Sequence, residues 1–200
     1  HYVLATGKVL MILEGVVTTE NQNGTINVSP MGPHLDGDGA EIQRFTLRPY
    51  QTSRTYQNLK RLGAGVLHVT DDVLLLARSA VNLLDAPPET IEEDGVRGRR
   101  LADCCRWYAF EVSELDDSQE RTTISCAVYK TGRVRDFYGF NRAKHAVLEA
   151  AILATRVNFL AADEILGQFE HLKVIVEKTA GVQETEAFKL LDEYVRENCT

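Results

Sequence analysis

A chain of 200 residues, 44% hydrophobic and 26% charged, has the balance of one well-packed globular protein with room for a helical appendage. That balance excludes a disordered or collagen-like chain, and apolar stretches such as 73–77 fall far short of the ~20 residues a bilayer demands. Twenty-nine acidic against 22 basic residues give a net charge of −7, which repels nucleic acid as a whole but leaves room for a local basic pocket.

The first two thirds read as β-rich and the last third as helical. Val9–Thr19 is a run of Val, Ile, Leu and Thr that ends at Asn21-Gln22-Asn23-Gly24. Asn-Gly suits a tight hairpin turn because both residues tolerate positive φ. Thr25–Ser29 returns as the second strand, stopped by Pro30 and Pro33, and Glu41–Arg48 alternates into a third. Thr52 or Ser53 caps a short helix through about Arg61, closed by Gly63. Gly65–Thr70 is the next strand, and Asp71 and Asp72 open a helix over 71–84 that Ala86-Pro87-Pro88 ends. Arg106–Leu115 and Thr122–Tyr129 are two further strands, turned by Asp116, Asp117 and Ser118. Beyond Gly139 come three helices, over 141–161, 164–179 and 184–197, the first rich in alanine. No internal repeat or low-complexity linker interrupts this order. The pattern predicts a small antiparallel barrel with inserted helices, followed by a helical segment packed against it.

Cysteines at 104, 105, 126 and 199 show no CxxC pair and no structural-zinc spacing, and read as small apolar fillers in a reducing compartment. His1–Leu10 lacks a secretory pattern, so the expected location is cytoplasmic. There is no GxGxxG, Walker loop, HExxH or GxSxG. Asp36-Gly37-Asp38-Gly39 is not a calcium loop, because the sixth and twelfth positions are Glu41 and Leu47.

The most informative stretch is Arg48–Leu59. It sets a guanidinium at a strand end and three hydroxyls (Thr52, Ser53, Thr55) at the start of a helix. Unpaired helix N–H groups, hydroxyl donors and an arginine together suit a phosphate, although a plain capped helix start reads the same way. On the helix after Gly139, Arg142, His145, Glu149 and Arg156 fall in a stripe about 60° wide, facing water, a subunit interface or a ligand pocket, and much of the remaining circumference is apolar.

In the order Met11–Thr19, Asn27–Pro33, Arg48–Leu59, Gly65–Asp72 and Phe140–Ala151, the chain resembles a family of uncharacterised proteins of archaea and some bacteria with an FMN-binding split-barrel fold. The resemblance runs from about residue 11 to 195. It implies a mainly β fold with α, a split, six-stranded Greek-key antiparallel barrel plus a C-terminal helical segment. Residues 1–139 would form the FMN-binding domain and 140–200 a helical subdomain packed on it. A homodimer with flavin near the subunit interface is implied as well.

Carried over residue by residue, Arg48, Thr52, Ser53 and Thr55 match the part that holds the FMN phosphate. Asn27, Ser29 and Met31 match the strand and turn beside the isoalloxazine ring, and His68 and Thr70 fall on the neighbouring strand. The implied function is an FMN-dependent oxidoreductase of unknown substrate. A non-catalytic flavin-binding or assembly module and a deazaflavin-binding protein stay open as alternatives. No metal, nucleic-acid or membrane partner is expected, and no acid or base stands out as catalytic.

Overall fold

The computed structural model describes residues 11–35 and 41–199. Two compact units emerge, one from the chain up to Thr70 with Pro87–Asp136, the other from Asp71–Ala86 with the chain from Phe137 onward. The first unit carries the strands β1 (Met11–Ile12), β2 (Gly15–Glu20), β3 (Ile26–Met31), β4 (His34–Leu35), β5 (Arg44–Leu47), β6 (Ala64–Val69), β7 (Thr90–Ile91), β8 (Arg100–Leu101), β9 (Arg106–Asp116) and β10 (Thr123–Arg133), with helix α1 (Arg54–Leu62). The second holds α2 (Val73–Ala80), α3 (Arg142–Ala154), α4 (Ala162–Thr179) and α5 (Val182–Asn198).

Eight strands form one antiparallel sheet in the order β1-β4-β5-β10-β9-β6-β2-β3. Both ends of that sheet come from a single bent hairpin. β2 pairs with β3 along Gly15↔Met31 to Glu20↔Ile26, and the same two chain segments pair again as β1 and β4 through Ile12↔His34. Between the halves, Leu13–Glu14 and Gly32–Pro33 form a corner held by a Leu13 N–H to Pro33 carbonyl bond of 3.0 Å. The upper half joins β6 and the lower half joins β5, so the sheet curls round on itself. Counting each bent strand once gives six strands, the expected split barrel.

The sequence reading holds at both ends of α1, whereas the helix expected over 141–161 ends at Ala154. Ser53 caps α1 by accepting the Tyr56 N–H, and Gly63 closes it at φ 65°. Asp72 and Asn141 cap α2 and α3 in the same way. Differences lie in the turns. Asn23-Gly24 sits in a five-residue loop in which only Gly24 takes positive φ (81°), because Asn23 instead accepts the Thr25 N–H. Pro30 does not stop its strand. β3 ends the sheet, and an end strand tolerates a residue without an N–H on its unpaired side. The expected helix over 71–84 shortens to α2, and Asn82 turns the chain at φ 57°. The part of the first predicted strand at 9–10 and the turn at 36–39 lie outside the described residues.

Alternation on the strands sorts the barrel's two faces. Val17, Leu67, Phe110, Phe45, Leu47 and Ile124 fill the interior, where the Phe45 and Phe110 rings meet edge to face at 5.1 Å. The outer faces of β2, β6 and β9 are buried too. Val66, Cys104, Trp107 and Ala109 form a second cluster with Val96, under a segment running from Pro87 to Cys105 that contains the β7–β8 pair. No separate element was anticipated in that segment, since its Pro, Gly and charged residues resemble a plain loop.

Asp71–Ala86 group with the second unit. Val73, Ala77 and Val81 belong to the core of the second unit, where alanine-rich α3 packs against all three other helices. Phe169 and Phe188 join α4 to α5 with ring centroids 5.6 Å apart. The stripe of Arg142, His145, Glu149 and Arg156 is exposed, and α3 ends before Arg156. No described helix is long and apolar enough to cross a membrane.

Candidate functional site

Arg48 follows β5 directly. Because Phe45 and Leu47 point into the barrel, alternation turns Thr46 and Arg48 to its outer face. The next residues run beside the loop between β9 and β10. The Pro49 carbonyl accepts the Thr122 N–H at 2.9 Å and its hydroxyl at 2.7 Å, and Gln51 N–H donates to Glu120. A bond of 2.9 Å from Ser53 N–H to the Tyr50 carbonyl closes the turn into α1.

Arg48 itself is the unusual member. Its Nε is buried and has no hydrogen-bond partner, and among the described residues no carboxylate pairs with its guanidinium. A buried donor left unmade costs about 1–3 kcal/mol, so a position that keeps one is suited to a ligand acceptor.

Thr55, one turn residue into α1, is buried and accepts from the Asn27 amide of β3 at 3.1 Å. The same amide lies 3.3 Å from Thr19 Oγ1, which also accepts from Asn58 at 3.0 Å, and Asn58 reaches Asn21 at 2.8 Å. This chain of side chains ties the helix start to the β2–β3 hairpin. Asn58 and Thr19 were not anticipated, yet Thr55 and Asn58 lie three residues apart on one helix face, which is a legible signal of a polar contact surface. On another face, the Tyr56 hydroxyl and Lys60 both reach the Asp117 carboxylate at 2.7 Å, and these bonds hold its pKa below the usual carboxylate value.

The expected site residues thus divide. Asn27 and Thr55 are brought together, with Ser53 as the cap beside them and Thr52 exposed just before it. Ser29 and Met31 continue along β3 on the face of Asn27, half-buried, with Met31 against the barrel core. Arg48 stands on the outer face, at the start of the same turn.

His68 belongs elsewhere. It is fully buried on the outer face of β6, beneath the 87–105 segment. Its Nδ1 lies 3.0 Å from the Val16 carbonyl and its Nε2 3.0 Å from the Leu101 N–H. A carbonyl can only accept and an amide N–H can only donate, so the ring is the neutral Nδ1–H tautomer and has no nitrogen left for a ligand. Burial is the main cause that pushes its pKa down to about 4, with Arg100 adding to it. Thr70, just after the same strand, is buried as well.

With this geometry in hand, the sequence matches "Protein of unknown function (DUF447) N-terminal domain" over residues 13–135 and the companion C-terminal description over 141–193. The chain belongs to the DUF447 family. Its fold is shared by an FMN-bound DUF447 protein from Methanosarcina mazei, at 24% identity, 92% coverage of this chain, 94% of that one and a TM-score of 0.77. The flavin reductase PheA2 (15% identity, 66% and 85% coverage, TM-score 0.51) has a similar barrel. So has the 2-nitrobenzoate 2-nitroreductase NbaA of Pseudomonas fluorescens (15% identity, 66% and 70% coverage, TM-score 0.52). No curated protein matches the sequence.

Proposed function

We propose that this DUF447 chain is a flavoprotein that binds FMN and uses it in an oxidoreductase reaction. The observation that carries the reading is the partnerless, buried Nε of Arg48, five residues before the cap of α1. That donor fits an anionic oxygen, and the fixed start of α1 beside it adds hydroxyls at Thr52, Ser53 and Thr55. The M. mazei relative, described as FMN-bound, supports the choice of ligand.

In this reading Arg48 and the Thr52–Thr55 turn hold the phosphate. Asn27, Ser29 and Met31 border the ring system, and the link from Asn27 to Thr55 keeps the two parts in register. The bound flavin supplies the capacity to take up and release a hydride or single electrons, and the chain supplies anchorage and orientation. His68 acts behind the site by fixing β6, not on the ligand. A homodimer with flavin near the subunit interface belongs to the same proposal, and light scattering on the purified protein tests it.

The deciding experiment is an absorbance spectrum of the purified chain, followed by mass spectrometry of what heat releases. Bands near ~370 and ~450 nm with the mass of FMN are expected, and replacing Arg48 by Gln should empty the protein of flavin while it stays folded. A single band near ~420 nm with another mass replaces FMN by a deazaflavin. A colourless protein that also refuses added FMN refutes the reading.

A further inference from the structure

Arg121 lies 73 residues beyond Arg48 in sequence but beside it in the fold. Its Nε donates to the Arg48 carbonyl at 3.2 Å, its backbone bridges Tyr50, and its guanidinium sits over the Tyr50 ring at 5.6 Å. Among the described residues neither Arg48 nor Arg121 forms an ion pair, in a chain whose net charge is −7 and whose other arginines include seven in salt bridges.

Both guanidinium charges converge on a third group. His34, half-buried on β4, is held below its ordinary pKa first by burial and then by the fields of Arg48 and Arg121. The two arginines also line one pocket of about 570 Å³ with Ser118 and Thr123. Asp116 and Glu120 line it too, yet neither carboxylate comes within ion-pair distance of either arginine, and Asp116 instead accepts the Ser118 N–H at 3.0 Å. Two arginines that line one pocket without a carboxylate partner leave it suited to an anion from outside.

We propose that Arg121 is a second anchor for the ligand's phosphate, forming with Arg48 a receptor that selects a phosphate monoester dianion over an uncharged alcohol. This rests on the flavin reading above and adds a residue and a selectivity to it. The geometry matches the charge. A terminal monoester carries close to two negative charges near neutral pH, and two guanidinium groups present planar forks of donors to its oxygens. Tyr50 holds one fork by cation–π stacking, so less freedom is lost on binding.

The test is titration of the intact chain, stripped of flavin, with FMN and with riboflavin, followed by fluorescence quenching. Unmodified protein should prefer FMN strongly. Arg121→Gln should weaken FMN about 10- to 100-fold and leave riboflavin unchanged, the scale of one charge-assisted contact. Arg121→Lys keeps the charge without the fork and should retain part of the preference, which guards against a folding effect of the first variant. If Arg121→Gln keeps the full FMN-to-riboflavin ratio while Arg48→Gln loses it, the second anchor is refuted and flavin binding stands. If the unmodified protein binds neither flavin, inorganic phosphate is the probe. Thermal stabilisation by phosphate that Arg121→Gln abolishes would uphold the receptor and reject the flavin, and no stabilisation would reject both.

Discussion

Lowering the pH should destabilise the barrel unit through His68. The ring is neutral in the fold with a pKa of about 4, against an ordinary value of 6.5. Between those values the unfolded chain takes up a proton that the folded chain refuses. Stability is therefore complete above the ordinary value and falls as the pH drops towards the folded one. The 2.5-unit gap corresponds to about 3 kcal/mol in full, and about 2 kcal/mol of it is lost between about pH 7.5 and pH 5. Against total stabilities of about 5–15 kcal/mol that is a large effect for one side chain. Trp107, the sole tryptophan, pairs in register with His68 and is buried beside it, so its fluorescence reports this unit during urea unfolding. Carboxylates such as Asp117 also lose stabilising contacts in acid, so the informative quantity is the difference from His68→Gln, which offers one donor and one acceptor without titrating. That variant starts less stable but should lose about 2 kcal/mol less over the same range. Parallel losses in the two proteins would refute the argument.

Gly132 faces Trp107, and a Cβ there would sit 2.5 Å from three indole atoms. With that ring enclosed in its cluster, Gly132→Ala should cost about 1–3 kcal/mol and shift the tryptophan emission, and an unchanged melting temperature and spectrum would count against so tight a fit. In the helical unit, Glu184 meets Lys144 at 2.8 Å and the Gly181 N–H at 2.8 Å. Burial alone would raise its carboxyl pKa, but these partners bring it below the ordinary value. Glu184→Ala should destabilise this unit by about 3 kcal/mol in far-UV circular dichroism melts, and Lys144→Met with Glu184→Leu should cost less than the single change. A double variant weaker than the single one would contradict that account.

What the sequence revealed and what it hid follow from the range of the interactions involved. Ser53 was readable as a cap, and Asp72 and Asn141 as helix starts, because a cap closes on an N–H three residues away. The Arg48–Thr55 turn was readable for the same reason. His68 could be read as a core histidine or as a flavin contact, but its partners were not legible, since all but the last residue of β6 are buried on both faces and alternation gives no sign of which face a polar residue meets. The cover over it comes from residues 87–105, whose turn-like composition conceals that Leu101 supplies the N–H for Nε2. Arg121 was lost among turn-forming neighbours, and only the pairing of Tyr50 with it across the fold brings it to Arg48. The corner at Leu13–Glu14 was read as continuous strand, because apolar residues continue through a bend that only the partners of each half reveal.

The placement of α2 in the second unit has a consequence for the chain as it is synthesised. Its packing partners α3 and α5 begin about sixty and about one hundred residues after Ala80. At about 5–20 residues per second, a ribosome needs roughly 3–12 s to reach the first and roughly 5–20 s to reach the second. Throughout that interval Val73, Ala77 and Val81 have been made and their core has not. The nascent barrel thus carries a short apolar helix awaiting its bundle, the kind of segment a chaperone would meet first. For the same reason a polypeptide cut after Asp136 is not a free-standing barrel, since it keeps one helix of a bundle it can no longer complete.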